Sequence, residues 1–267
     1  MVLDSVKNVY NQWFPPAPTF TEKDVPSQEG KVFIVSEGNT GIGYELIKML
    51  YATGAKVDMA SRSKEKAEKA IQTLTSETPA PINKGSIHFL YLDLNDLLSV
   101  KKAAASPSRV VWTSSFLAES ASPKNDIDFT SLEKGIEDRT KNYAVAKAGT
   151  WMLGRESARR YGREGITSVI QNPGNLKTGA YDAIGWVGML FIGPLLAEAR
   201  FGAYTELFAG FGSVGNGDYV IPWGRVRGDG ECPRKDLLNA MKPVEEGGLG
   251  YGEKLREWCE EKWKPFI

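Results

Sequence analysis

Histidine and cysteine are scarce in this chain of 267 residues, which has one histidine, His88, and two cysteines, Cys232 and Cys259. A histidine-rich metal site is therefore excluded, and a Ser-His-Asp triad would have to use His88. Two cysteines make neither a disulfide framework nor a metal cluster. This usage is typical of a reducing compartment and predicts a cytoplasmic protein.

An excess of charge is also missing, because 33 basic residues balance 33 acidic ones. Nothing global attracts nucleic acid or anionic membranes, and we expect no nucleic-acid partner. Asp4, Lys7 and Asn8 interrupt the first apolar residues, so no signal peptide is predicted. The longest apolar stretch, 183–197, contains three glycines and Pro194 and is too short to span a membrane. We interpret it as a buried lid on the substrate side, with contact to a membrane surface as the alternative.

Short apolar runs alternate with helical patterns through the middle of the chain. The predicted strands are 32–35, 56–60, 87–92, 110–113 and 166–171, and the predicted helices are 44–53, 64–75, 96–105 and 142–161. This alternation is typical of βαβ units and a parallel sheet. Residues 1–29 are interpreted as an N-terminal arm, since FPPAP at 14–18 suits neither a regular helix nor a central strand. Residues 30–267 are predicted to form one domain, with a substrate-side cover from about 179.

The turn after the first strand, SEGNTGIG at 36–43, has the composition of a phosphate-binding loop. Gly38, Gly41 and Gly43 would let the backbone approach a pyrophosphate, which the N-terminus of the next helix attracts. Glycine is common in tight turns, so the loop alone is weak evidence. Its position between a strand and an amphipathic helix strengthens the interpretation.

Tyr143 and Lys147 are four residues apart on a predicted helix and so share one face. A tyrosine hydroxyl is a poor acid or base at neutral pH unless a nearby cation stabilises its phenolate. Lys147 would supply that cation. The pair lies between a strand that ends in serines, at 114–115, and a strand followed by NPG, at 172–174.

Together, the loop at 36–43, YAVAK at 143–147 and NPG at 172–174 resemble the short-chain dehydrogenase/reductase family over about residues 30–225. The run at 215–225 resembles filamentous-fungal members similar to retinol-dehydrogenase-type reductases. The resemblance implies a Rossmann-type, doubly wound parallel sheet in three αβα layers. It also implies an NADP-dependent oxidoreductase that reduces a small ketone or aldehyde, or oxidises the alcohol, in fungal secondary metabolism.

The family pattern implies a role for individual residues. Ser115, Tyr143 and Lys147 would be catalytic: Ser115 would hydrogen-bond the substrate carbonyl, Tyr143 would supply the proton, and Lys147 would also hold the nicotinamide ribose. The cofactor would contact Gly38, Asn39, Gly41, Ile42, Gly43, Arg62, Lys64, Asp93, Tyr143, Lys147, Pro173, Gly174, Leu176 and Thr178.

Several of these residues also have an ordinary structural interpretation. Arg62 and Lys64 suit the 2′-phosphate of NADP, with a solvated surface residue as the alternative for Arg62. Asp93 would contact the adenine or cap a helix. Ser115 is either the substrate-binding serine or a turn residue. Leu176 would use its backbone and Thr178 its hydroxyl beside the nicotinamide.

Glu37 departs from the family pattern, which has its first glycine at this position. Its side chain would either repel the pyrophosphate and restrict the backbone, or turn to solvent and leave the loop intact.

The interval between Asp93 and Arg109 is too short for the family pattern. It holds fifteen residues, whereas one βαβ unit needs about 30. One strand and one helix of the family are therefore predicted to be missing, and because that helix often forms half of the family's dimer interface, oligomerisation is doubtful. Either 110–115 pairs directly with 32–35, which would bring the catalytic residues about 4.8 Å closer to the phosphate loop, or a slot stays open. The alternative function is a reductase-fold protein without redox activity: a ligand-binding protein, a cofactor-free isomerase or cyclase, or an inactive remnant.

Overall fold

The computed structural model describes residues 2–78, 85–93, 96, 109–181 and 185–266. The strands are β1 (Val32–Ser36), β2 (Lys56–Ser61), β3 (Ser86–Tyr91), β4 (Arg109–Thr113), β5 (Thr167–Gln171), β6 (Tyr219–Ile221) and β7 (Arg225–Arg227). The helices are α1 (Val2–Trp13), α2 (Gly41–Ala52), α3 (Lys64–Glu77), α4 (Leu117–Ser120), α5 (Arg139–Tyr161), α6 (Trp186–Ile192), α7 (Ala199–Phe211), α8 (Lys235–Met241) and α9 (Tyr251–Trp263). The predicted parallel α/β fold class is confirmed, whereas the helix predicted at 96–105 lies outside the described residues.

The strands form two sheets. The first has the order β1-β2-β3 and is parallel throughout. The second has the order β4-β5-β6-β7, with β7 antiparallel to β6. In the part of the chain that the structure describes, β1 and β4 each pair on one side only. Direct pairing of 110–115 with 32–35 is thus absent among the described residues, where these strands leave the open slot of the second predicted arrangement.

Within the described residues, the edge of β1 beside this slot carries backbone groups without a strand partner. The carbonyl of Lys31 and the N–H of Glu37 bond to β2. Backbone groups alternate in direction along a strand, so those of Val32, Ile34 and Ser36 point away from β2 and towards the slot. The side chains of Val32 and Ile34 are exposed, because the helices packed on this sheet lie on its other face.

Helix α7 connects the two sheets on one face. With α2 and α3 it covers the first sheet through an apolar cluster that includes Ile47, Met59 and Leu207. Further along α7, Ala209 packs against Val169 of β5 in the second sheet. The apolar residues of α7 therefore form one continuous buried surface that packs against both sheets.

The opposite face of the second sheet carries its own core. Trp151 and Met152 of α5 pack with Ile170 of β5 and Leu237 of α8, all fully buried. This packing fixes α5, the helix with the predicted Tyr-Lys pair, against the sheet that ends in the predicted serine.

The apolar segment around α6 is more exposed than its sequence suggests. Trp186, Leu190 and Phe191 are 78, 64 and 76% exposed, so the interpretation as a buried lid is wrong for these side chains. Among the described residues, no helix combines the length and apolar character that crossing a membrane requires.

Candidate active site

The predicted phosphate loop forms a tight turn between β1 and α2. A methyl group on Gly43 would lie 3.0 Å from the carbonyl oxygen of Glu37 and from the Cα of Gly38, so this position accepts glycine best. Thr40 precedes α2 in an extended conformation and makes no side-chain cap. The first-turn amides of α2 are thus left without a capping side chain, as at helix N-termini that bind anions.

Glu37 adopts the left-handed backbone region, with φ 55°. Glycine adopts this region without steric cost, whereas a residue with a Cβ is strained there. Its side chain is exposed. Both expectations for Glu37 are therefore met in part: the backbone is restricted, and the carboxylate is in solvent.

Tyr143 and Lys147 lie together on α5, as their spacing predicts. The Nζ atom of Lys147 is 5.5 Å from the centroid of the Tyr143 ring, and the tyrosine is partly exposed. Burial lowers the pKa of Lys147, and the negative charges of Glu37 and Glu206 oppose this change. The arrangement places a cation beside a phenol that a ligand can reach.

Lys147 also contacts the end of β4. The N–H of Ser114 donates to the Gln171 carbonyl of β5 at 2.7 Å, so the preceding carbonyl, that of Thr113, points the other way, into the slot. Lys147 Nζ donates to this Thr113 oxygen at 3.0 Å. The lysine therefore satisfies one of the backbone groups that a strand in the slot would have paired.

Ser114 and Ser115 have different roles. The Ser114 hydroxyl is buried and donates to the Lys147 carbonyl at 2.8 Å, which ties β4 to α5. Ser115 Oγ accepts from the Leu117 N–H at 3.2 Å, as a turn residue does, and keeps its own proton available to a ligand. The structure thus has Ser115 in its turn role, and the substrate-binding role stays a prediction. Between Ser115 and Tyr143, no hydrogen bond is present in the described part of the chain.

The loop after β5 lies next to the phosphate loop. Asn172 accepts the Gly174 N–H at 3.1 Å, and Gly174 has φ 96°. Leu176 is buried and pairs with Ala197 in a single parallel bridge. Thr178 lies 3.6 Å from where a methyl group on Gly41 would be, so this loop and the start of α2 approach each other closely.

Pro173 of this loop and Ile42 of α2 lie next to these residues. Pro173 is buried directly before the turn. A methyl group on Gly202 of α7 would contact both Leu176 and Ile42, so Ile42 packs between α7 and the loop.

The predicted adenosine-side residues lie at the ends of β2 and β3. Asn39 accepts a hydrogen bond from Ser61 at 3.2 Å. Arg62 is exposed and makes no ion pair with the described residues, whereas Lys64 pairs with Glu68 at 3.6 Å. Asp93 follows β3. Since the strands are parallel, these ends share one edge of the sheet with the phosphate loop.

Sequence reasoning missed Glu206 and Tyr181. Glu206 of α7 accepts hydrogen bonds from Thr113 Oγ1 and Gln171 Nε2, both at 2.9 Å, and burial raises its pKa. The signal in the sequence was a glutamate among the apolar residues of α7, which pack against the sheets. Burial, with a smaller effect of Tyr143, raises the pKa of Tyr181, a second phenol in the segment after β5. Its position three residues after Thr178 is a weak signal.

No family model matches the chain. Curated proteins do match: the short-chain dehydrogenase/reductase iacJ of Pestalotiopsis fici is 37% identical over 333 positions, with 99% of this chain and 100% of that protein covered. The short-chain dehydrogenase/reductase bet4 of Neocamarosporium betae is 31% identical, with 98% and 94% covered. The chain belongs to the short-chain dehydrogenase/reductase family.

The alignment with iacJ also bears on the missing unit. It runs over 333 positions against 267 residues here, so at least 66 positions of iacJ have no counterpart in this chain. A difference of this size is large enough for the strand and helix predicted to be missing, since one βαβ unit takes about 30 residues.

Solved structures agree on the fold. A short-chain dehydrogenase/reductase of Mycobacterium ulcerans has a TM-score of 0.56 at 16% identity, with 72% of this chain and 88% of that chain covered. The RhlG/NADP complex of Pseudomonas aeruginosa has a TM-score of 0.53 at 15% identity, with 73% and 95% covered. At these identities the likeness concerns the fold alone.

Proposed function

We propose that this chain is an NADP-dependent oxidoreductase that reduces a ketone or aldehyde, or oxidises the corresponding alcohol, in fungal metabolism. The observation that carries the proposal is the position of Lys147 beside the accessible ring of Tyr143, with Nζ 5.5 Å from the ring centroid. The fungal relatives support an oxidoreductase. Ser115, Tyr143 and Lys147 are the proposed catalytic residues.

The residues present fit an NADP molecule at its phosphate end. The uncapped start of α2 and the glycine turn suit a pyrophosphate, and Arg62 is exposed and open to a 2′-phosphate. Asn39 and Asp93 follow on the same strand edge, and Lys64 is a second, partly engaged cation. On the other side, Pro173, Gly174, Leu176 and Thr178 form the wall beside the nicotinamide. When bound, the cofactor supplies or accepts the hydride.

The chain's own residues handle the proton and the oxygen. The Tyr143 hydroxyl holds the proton that reduction delivers to the substrate oxygen, and the Lys147 cation makes the resulting phenolate less costly. Ser115, whose oxygen accepts from the Leu117 N–H, donates a hydrogen bond to the substrate oxygen, which orients it, and keeps its proton. Glu37 and Glu206 act on Lys147 by raising the pKa that burial lowers.

The open slot favours a second candidate, a reductase-fold protein that binds a ligand without redox chemistry. The phosphate loop follows β1 and Ser115 follows β4, and these strands belong to separate sheets. In this case the Lys147 bond to Thr113 has a structural role only, and no reduction takes place that would need the Tyr143 proton.

Titration with NADPH, followed by fluorescence, separates the two candidates. The proposed function predicts saturable binding and carbonyl-dependent NADPH consumption. The Tyr143→Phe variant should keep the binding and lose the consumption, because only the hydroxyl is removed. Binding without consumption over a panel of ketones and aldehydes would favour the second candidate. A protein that is folded and binds no NADPH would reject the first.

A further inference from the structure

Helix α1 docks on the domain with its polar side. Val6 and Tyr10 are each 62% exposed, whereas Gln12 is 1% exposed and Asn8 is also buried. Burying amide side chains costs free energy unless they are hydrogen-bonded. The position of α1 therefore depends on specific polar contacts.

Asn8 connects α1 to a buried ion pair. Glu119 of α4 and Arg227 of β7 are both buried, and their charged groups are 2.7 Å apart. Asn8 donates to Glu119 at 3.0 Å and accepts from Arg227 at 3.2 Å. The orientation of the Asn8 amide is thereby fixed, since one end faces an acceptor and the other a donor.

Gln12 extends this chain of hydrogen bonds to the loop after β5. Its Nε2 donates to Asn8 at 3.0 Å, so its Oε1 faces the other way and accepts from Asn172 Nδ2 at 2.6 Å. Asn172 is buried, and its Oδ1 accepts from the Gly174 N–H at 3.1 Å. The Asn172 amide can serve Gly174 only while its nitrogen points at Gln12.

We infer that Gln12 of the N-terminal helix is a positioning residue for loop 172–178, the wall that would face the nicotinamide. The inference rests on the proposed function. Gln12 holds the Asn172 amide, Asn172 holds the left-handed turn at Gly174, and the turn directs the chain to Thr178 beside Gly41. The hydrogen bonds of Gln12 involve Asn8 and Asn172, whereas the phosphate loop and Arg62 lie on and after the first sheet. Gln12 therefore acts on the nicotinamide end of the site and not on the adenosine end.

The Gln12→Met variant tests this, because methionine has a similar size and removes both hydrogen bonds. We expect the affinity for NADPH to fall about five- to tenfold, as for the loss of one buried hydrogen bond, while the affinity for 2′-phospho-ADP-ribose, which lacks the nicotinamide, stays within about twofold. Gln12→Glu, which keeps an acceptor for Asn172, should recover most of the NADPH affinity.

Arg225→Met is the matched control. It removes a different anchor of α1, the 2.6 Å bond from Arg225 to the Asn11 carbonyl, without touching Asn172. This variant should melt at a lower temperature yet keep the wild-type ratio of the two affinities. Equal weakening of both ligands by Gln12→Met, or no weakening of either, would overturn the inference.

Hydrogen exchange of the ligand-free protein provides a readout that does not need the cofactor. Gln12→Met should speed amide exchange at 174–178 and leave exchange at 41–47 unchanged. Unchanged exchange at 174–178 would overturn the inference even if NADPH binds. A wild-type protein that binds neither ligand would reject the proposed function, and the exchange comparison would still decide whether Gln12 positions the loop.

Discussion

The Lys147 ammonium group bonds to the Thr113 carbonyl, which points into the slot between the two sheets. The same ammonium lies beside the Tyr143 ring. A continuous sheet would give that carbonyl a strand partner and leave the lysine to other acceptors. The missing strand therefore changes the contacts of the proposed catalytic lysine as well as the sheet. The Lys147 ammonium group bonds to a main-chain oxygen and also lies beside the proposed acid, Tyr143.

Replacing Glu37 by glycine should raise both stability and NADPH affinity. Glycine tolerates the φ of 55° at this position, which removes a strain of about 1 kcal/mol. Removal of the charge should tighten NADPH binding by about 1–2 kcal/mol if the carboxylate turns to the pyrophosphate. Thermal unfolding and fluorescence titration measure the two effects.

Glu37→Gln separates the two causes, since it removes the charge and keeps the side chain. Wild-type stability with improved binding would assign the binding effect to charge. If neither variant changes the affinity, the carboxylate stays clear of the cofactor in solvent.

Arg62→Ala should erode a preference for NADPH over NADH by about tenfold, because an exposed guanidinium without an ion-pair partner among the described residues is free to bind the 2′-phosphate. Lys64→Ala is the control and should have a smaller effect, since Lys64 already pairs with Glu68. Dissociation constants for both nucleotides give the ratio. Equal affinities of the wild-type protein for the two would contradict the prediction.

Asp126 should make stability fall as pH rises. The residue is fully buried with φ 77°, and neither carboxylate oxygen has a partner within hydrogen-bond distance among the described residues. Burial, opposed by the weaker effects of Arg234 and Ser122, raises its pKa to about 8. The folded state thus binds this proton more tightly than the unfolded state. Its stabilising contribution is complete below pH about 4 and is lost as pH rises through about 8, at up to about 1.4 kcal/mol per pH unit.

The Asp126→Asn variant should remove this dependence. Asparagine cannot titrate and tolerates a positive φ, so it should stabilise the protein at pH about 8 more than at pH about 5. Urea unfolding at the two pH values is the measurement. A pH dependence as steep as that of the wild-type protein would show that Asp126 is not its source.

Breaking the buried Glu119–Arg227 pair should be costly. Glu119→Gln leaves the Arg227 cation buried without its counter-charge, and we expect a loss of about 3–5 kcal/mol of unfolding free energy. Glu68→Gln, which breaks the exposed pair with Lys64, should cost less than about 0.5 kcal/mol. Denaturant unfolding of both variants tests the contrast. Equal losses would mean that burial does not govern the strength of these pairs.

Between residues 32 and 171 the sequence predicted most elements, whereas α1 and the elements after β5 were not predicted and the sheet was predicted incompletely. Apolar runs such as 32–35 are local signals, and each predicted strand among the described residues is present. Helix α2 begins three residues before the predicted start, because Gly41 and Gly43 suggested a loop and instead form the first helical turn. Pairing of β1 with β4 depends on geometry that is remote in sequence, so both outcomes had to stay open.

Parts of the site were beyond pattern reasoning for physical reasons. In α1 the usual rule is reversed, with Tyr10 exposed and Gln12 buried, so composition could not reveal how the arm docks. Glu206 of helix α7 carries no motif, and its partners Thr113 and Gln171 come from two strands that are remote from it in sequence. Tyr143 and Lys147 were accessible to sequence reasoning because one helical turn is enough to bring them together.

The bridge made by α7 has a consequence for cooperativity. A hydrogen-bonded ladder transmits unfolding from strand to strand, whereas α7 couples the two sheets without such a ladder, through packed side chains and the bonds from Arg109 to the Ala209 and Gly210 carbonyls. The first sheet, with α2 and α3, is thereby able to open while the second sheet keeps its core, as partly independent units do in native-state exchange. The boundary between the two units lies on α7, where Ala203 and Leu207 pack on the first sheet and Ala209 packs on the second. In mild denaturant, the amides of the first sheet should therefore exchange with a different opening free energy from those of the second.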